Sequence, residues 1–319
     1  MLKLRDFRQS SRLYLKFSVL GTLAGLAACS LSTSNPSNLD ETPSRNTGED
    51  FQSEKATDFW TPERIEEALS NPLLLAELPA ELSDRLPVAG PAPEKSDTPP
   101  INVNTQNYPY RTIGKLIFTT PDGKMGSCSA QFVGPKRNGL VTAGHCIYDA
   151  SVNKWHKNLS FVRAAGGTEQ EIFDIFCKTR FIDYHDNPSG WVRVAADVGI
   201  LETKRPYKGQ LGMASLKSAP IEAVGYPSQP GDGKFLYSVT GKFLSRQSGD
   251  RVQAMSENAL IFGASGGAWI QDLHLVGINS YAYTPVKMVL SPMITNNVVK
   301  LYENGTNGKC GDGHQINHR

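Results

Sequence analysis

Apolar positions along this chain fall into short runs broken by glycine- and proline-rich turns, the pattern of strands rather than of long helices. Gly126-Ser-Cys-Ser-Ala-Gln-Phe-Val133 reads as a strand. Leu140-Val-Thr142 reads as a second, and the run after Asp197, Val198-Gly-Ile-Leu201, as a third. Two stretches break the pattern. Phe59-Trp-Thr-Pro-Glu-Arg-Ile-Glu-Glu-Ala-Leu69 is amphipathic, with Thr61 placed to cap a helix, Pro62 in its first turn and Glu63 and Glu66 near its positive end. A short helix near 61–78 is expected there, and the periodicity of Val289 to Tyr302 suits a terminal helix over about 292–303.

Composition sharpens the picture. Glycine (29) and proline (20) are plentiful in the 319 residues, which favours an all-β body with many turns. Charge is nearly balanced, 33 basic against 31 acidic residues, so no broad field points to nucleic acid. No phosphate loop, dinucleotide fingerprint or calcium-hand loop is present. Cys310-Gly-Asp-Gly-His314 has loosely metal-like spacing, but two ligands do not close a zinc site, and no metal or cofactor is expected. His156, His185, His274 and His318 are scattered and read as surface or packing residues.

The N-terminus reads as an export signal. Lys3, Arg5, Arg8, Arg12 and Lys16 precede the short apolar run Phe17 to Ala28, too short for a comfortable permanent span. Leu26-Ala27-Ala28-Cys29 resembles the lipobox of bacterial lipoproteins. That resemblance implies cleavage of a 1–28 signal peptide, lipid on Cys29 and an exported, membrane-anchored chain. A plain secretory signal cut near Ala28 is the alternative. From 29 to about 107 the chain is rich in Ser, Thr, Asn, Pro and acids, and is expected to be a flexible, disordered tether or pro-like extension around the short helix. The Trp60-Thr-Pro-Glu-Arg64 of that helix resembles a segment ahead of the catalytic domain in bacterial and fungal peptidases. Four cysteines remain in the body, Cys128, Cys146, Cys177 and Cys310, for which three pairings are possible.

The chemistry concentrates in two strings. In Leu140-Val-Thr-Ala-Gly-His-Cys146 a strand delivers His145 after a small-residue turn, which a Cys128–Cys146 bridge would staple to the preceding strand. Cys177 and Cys310 could form a second bridge that ties the C-terminal tail to the first lobe, or remain free. In Gly263-Ala-Ser-Gly-Gly-Ala-Trp269 glycines flank Ser265, so that the hydroxyl is presented while the N–H groups of Gly263 and Ser265 converge on one spot, as an oxyanion requires.

Together the strings resemble the active-site motifs of the chymotrypsin-like serine peptidase superfamily over roughly 111–300, and Gly225-Tyr-Pro227 fits the bacterial branch that contains glutamyl endopeptidases. The resemblance implies two antiparallel six-stranded β-barrels with a C-terminal helix. Barrel one would span about 108–205 and barrel two about 206–290, followed by a polar tail over 304–319. It also implies a His, Asp, Ser order along the chain. Asp197 in Ala195-Ala-Asp-Val-Gly-Ile-Leu201 is the acid that fits, ahead of Asp183 and Asp186. The expected function is then a serine endopeptidase acting on polypeptides as a monomer through an acyl-enzyme, with a catalytically silent peptide-binding lipoprotein as alternative. An α/β-hydrolase would need Ser before Asp before His, so that fold is disfavoured.

This chain also departs from the superfamily pattern. Many relatives carry Asp directly before the serine, where Ala264 stands here, so a trypsin-style ion pair with a new N-terminal amine at Ile113-Gly114 cannot form. Substrate-pocket walls are expected from Asn258-Ala-Leu-Ile-Phe262 and Asn279-Ser-Tyr-Ala282. Ala259 falls at the pocket base, and Asn279 stands where glutamyl endopeptidases use histidine. A pocket lined by Ala259, Leu260, Asn279, Ser280, Tyr281 and Ala282 is expected to favour uncharged side chains.

Overall fold

The computed structural model describes residues 56–83, 86, 99–167, 169–186, 190–217, 220–247 and 251–313. The leader, Cys29, His314 and His318 lie outside these residues. Six antiparallel strands close a barrel: β1 (Ile113–Thr119), β2 (Met125–Phe132), β3 (Gly139–Thr142), β4 (Lys157–Arg163), β5 (Glu171–Arg180) and β6 (Gly199–Thr203). Ladders run β6–β3–β2–β1–β4–β5, and β5 pairs back onto β6 from Gly199↔Arg180 to Thr203↔Ile175, which closes the ring. Closure leaves no unpaired edge, and it is why β1 and β2 are buried along nearly their whole length.

Of the expected second six-stranded barrel the pairings show one sheet over the second half. It contains β7 (Ile221–Gly225), β8 (Tyr237–Gln247), β9 (Val252–Ser256), β10 (Ala268–Gln271), β11 (His274–Ile278), β12 (Tyr281–Tyr283) and β13 (Met288–Pro292). Its order is β12–β13–β9–β8–β7–β10–β11, and no ladder among the described residues joins the two ends. At its two ends Ala76–Glu77 pairs with β12 and Gly212–Met213 pairs with β11. The fold is thus mostly β, with one closed barrel.

The terminal helix runs Asn296–Gly305, later than expected because Met288–Pro292 is still strand. It buries Val298, Leu301 and Tyr302, and the Tyr302 hydroxyl donates to the Val133 carbonyl (2.6 Å). Beyond it the polar tail is pinned: Cys310 is bonded to Cys177, and Gly311–Asp312 pairs with Thr179–Arg180.

The N-terminal extension differs most from expectation. Over 56–83 it is an ordered strap rather than a loose tether. Its helix α1 spans Pro62–Ser70, with the Arg64 N–H donating to Thr61 Oγ1 (3.3 Å), and it stops well short of residue 78. Pro72 disfavours helical geometry at Asn71, so the chain leaves α1 extended. Buried Trp60, Leu69, Leu75, Leu78 and Leu82 outweigh the polar composition on which the expectation rested.

Candidate active site

β3 ends at Thr142, and Gly144–Cys146 turns tightly to carry His145. The Cys128–Cys146 disulfide fastens that turn to β2. Asp197 stands between the helix α2 (Gly190–Ala196) and β6, fully buried. Its Oδ1 accepts the His145 backbone N–H (2.7 Å), and its Oδ2 lies 2.9 Å from His145 Nδ1. Oδ2 also accepts the Ser280 hydroxyl. Burial pushes the Asp197 carboxyl up, but the charge and hydrogen bonds of His145, with the Ser280 hydroxyl, outweigh it and hold the group below the usual carboxylate range. An ionised Asp197 fixes the proton of His145 on Nδ1 and leaves Nε2 as the basic nitrogen. Nε2 is buried and has no hydrogen-bond partner among the described residues.

Ser265 sits in the turn between β9 and β10. Gly263 and Gly266 adopt φ of +78° and +76°, conformations that side-chain-bearing residues rarely take. A Cβ on Gly266 would fall 2.2 Å from Thr142 Oγ1 and 3.0 Å from the Ala143 nitrogen, so this turn lies directly against the residues leading into His145. The Ser265 carbonyl accepts the Ser129 N–H (2.7 Å) and Gly266 N–H donates to Asn279 O (2.8 Å), which locks the turn to both halves of the molecule. The Ser265 hydroxyl does not donate to His145. It donates to the carbonyl of Leu73 in the strap, at 3.2 Å.

The expected pocket residues divide by role. Leu260 and Ala282 are buried in one apolar cluster with Ile261, Ala264, Trp269 and Val289. Ala259 is half-buried beside it. Tyr281 is buried, and burial first, then the Asp197 charge, keeps its phenol protonated. Asn279 is not a free wall. Its Oδ1 accepts from Trp269 Nε1 (2.8 Å) and Asn258 Nδ2 (3.3 Å), and its Nδ2 donates to Ala264 O (3.3 Å). Ser280 turns its hydroxyl towards Asp197.

His156, read from the sequence as a packing or surface residue, supports the site. Its Nε2 lies 3.1 Å from the His145 carbonyl, and its ring stacks on Phe118 at 4.5 Å. Burial pulls it down to about 4, so it is neutral at ordinary pH and donates through Nε2. Nothing in Lys154-Trp-His156 signals this, because the partner is a backbone carbonyl. Among the described residues one group of metal-ligand atoms converges, that of Cys128, His145 and Cys146, and its two sulfurs are already joined to each other.

A closed barrel, a buried Asp–His pair and a glycine-flanked serine turn packed against the residues leading into the histidine are those of the chymotrypsin-like fold. The sequence pattern of the family described as Trypsin matches residues 103–294, well over half of the chain, and the chain belongs to the trypsin family. A glutamyl endopeptidase of Bacillus licheniformis is 30% identical over 133 residues, which are 39% of this chain and 38% of that protein's length. Among solved structures, the thermostable serine protease AL20 aligns at TM-score 0.53 and 21% identity, over 62% of this chain and 97% of its own. A Glu endopeptidase aligns at 0.53 and 17% over 65% and 96%, and the protease Anisep of Arthrobacter nicotinovorans at 0.51 and 19% over 62% and 96%. These likenesses carry the fold. The chain spans well under half the length of the curated relative it matches.

Proposed function

We propose that this chain is an exported, lipid-anchored serine endopeptidase in which His145, Asp197 and Ser265 form the catalytic triad. The observation that carries the reading is the His145 imidazole held through Nδ1 by a buried Asp197 carboxylate, with the Ser265 turn packed against the residues leading into His145. In this reading Nε2 takes the Ser265 proton as Oγ attacks a peptide carbonyl carbon. The N–H groups of Gly263 and Ser265 receive the developing oxyanion. His145 returns the proton to the leaving amine, and water then releases the acyl group from Ser265 by the same steps in reverse order. The apolar cluster around Leu260 and Ala282 favours substrates with uncharged side chains at the primary position. Anchoring is assigned to lipid on Cys29, where the lipobox-like string ends.

One observation favours the rival reading of a silent peptide-binding relative: the Ser265 hydroxyl is held by Leu73 and not by His145. Fluorophosphonate labelling with peptide mapping separates the two. Label on Ser265, lost with peptide hydrolysis in Ser265→Ala, supports the enzyme. A well-folded chain that never labels, with or without the strap displaced, supports the binder.

A further inference from the structure

The strap fills the site it crosses. Ser127 N–H donates to Asn71 O (3.0 Å) and Leu73 N–H to Ser127 O (2.7 Å), which fastens 71–73 beside β2. The next residues cross to the other half, where Ala76–Glu77 pairs in parallel with Tyr281–Ala282 and Leu78 N–H donates to Ala282 O (2.8 Å). Between these two anchor points lie the groups that the proposed chemistry needs. Leu73 O accepts a hydrogen bond from the Ser265 hydroxyl. Pro72 Cβ and Cγ lie 3.1 Å from where a Gly263 Cβ would be, against one of the two proposed oxyanion donors. Leu75 is buried in the cluster of Leu260, Ile261 and Ala282, while its neighbour Leu74 is exposed.

The occupant is posed as a blocker and not as a substrate. Hydrolysis requires Oγ to face a carbonyl carbon, with the carbonyl oxygen turned to the Gly263 and Ser265 N–H groups. Here the oxygen of Leu73 itself faces Oγ and accepts its hydrogen bond, so the hydroxyl is engaged and the carbon is not presented. The strap is also clamped from behind. Lys115, fully buried, donates through Nζ to Leu69 O at the end of α1 and to Gly233 O, both at 2.8 Å. Trp60 Nε1 donates to Asn158 O (2.8 Å) at the other end of the segment.

We infer that residues 71–78 are a built-in inhibitor of the active site, which keeps the full chain latent until the strap is drawn out of the cleft. This inference rests on the proposed triad and adds its regulation. It also answers the departure at Ala264: with no carboxylate there to receive a new amine, and with Ile113 buried inside β1, control by uncovering needs no new terminus.

The test uses the full chain with Leu75→Asp, which places a charge in the apolar cluster. Two readouts are taken together: the rate at which a fluorophosphonate labels Ser265, and hydrogen exchange at the Leu73 and Leu78 amides. Faster exchange at both amides with labelling at least about tenfold faster, the least that losing an apolar contact of this size should give, supports the inference. Faster exchange with a labelling rate equal to that of the unaltered chain overturns latency and leaves the enzyme standing. Faster exchange with no label in either chain overturns the triad assignment, and latency falls with it. If Leu75→Asp does not fold, Leu75→Ala shrinks the plug without adding charge; raised exchange with labelling unchanged again overturns the proposal.

Discussion

Acidification from about pH 7 to about pH 4 should weaken this fold through one buried ring, that of His156. Its Nε2–H is committed to the His145 carbonyl, so a second proton must add at Nδ1. Nδ1 is buried and has no partner among the described residues, so protonation there would create a buried cation with an unpaired N–H. Burial is the main cause that pulls the group from 6.5 to about 4, and the charges of His145 and Lys178 act in the same direction. The His145 hydrogen bond and the Asp149 charge oppose it without reversing it.

The unfolded chain takes this proton near 6.5 and the folded chain only near 4. Stability is therefore complete above 6.5, declines as pH falls from 6.5 to about 4, and changes no further below. At about 1.4 kcal/mol per tenfold change in proton affinity, the loss across that window is roughly 3 kcal/mol. Urea unfolding followed by tryptophan fluorescence, at several pH values across the window, measures it. His156→Gln keeps a side-chain N–H donor and removes the titration, so its stability should fall less steeply with acid than that of the unaltered chain. Parallel curves for the two proteins would refute the reasoning.

Other outcomes follow from the same site. Asp197→Asn removes the group that fixes the His145 proton on Nδ1, and turnover should drop by about 10⁴-fold in steady-state assays. The same variant should also lose less stability in acid. The Asp197 carboxyl is held low, so it stabilises the fold above the usual carboxylate range and loses that contribution as pH falls below it. Gly263→Ala should abolish turnover and cost about 1–3 kcal/mol in thermal unfolding, because its Cβ would meet the Ser228 nitrogen at 2.6 Å from a backbone at φ +78°. Cys29→Ser should shift the chain from the membrane to the soluble fraction on cell fractionation, if lipid on that residue is the anchor.

Much of the site was legible because its chemistry is packed into short strings. Ala-Gly-His and Gly-x-Ser-Gly-Gly constrain the backbone locally, and chain order singled out Asp197, the residue whose carboxylate meets His145. The Ser280 hydroxyl bond to Asp197 was not legible, because the partner is 83 residues away and the direction of the hydroxyl depends on how β11 passes into β12. The start of α1 was legible from Thr61 and Pro62, and its end could have been, since Asn71-Pro72 is itself a helix-stopping pair. What hid the strap was averaging. Polar residues dominate 30–107 as a whole, yet Leu73-Leu-Leu75, Leu78 and Leu82 carry enough apolar surface to dock. The two-residue pairings of Ala76–Glu77 and Gly212–Met213 were not legible at all, because they are set by tertiary contact.

The parallel pairing of Ala76–Glu77 with β12 has one more consequence. Because blocker and cleft are stretches of the same polypeptide, their meeting is unimolecular, and diluting the protein does nothing to part them. A single nick anywhere between the blocker and β1 changes that arithmetic: blocker and catalytic body become separate molecules, and from then on their hold on each other weakens as they are diluted apart.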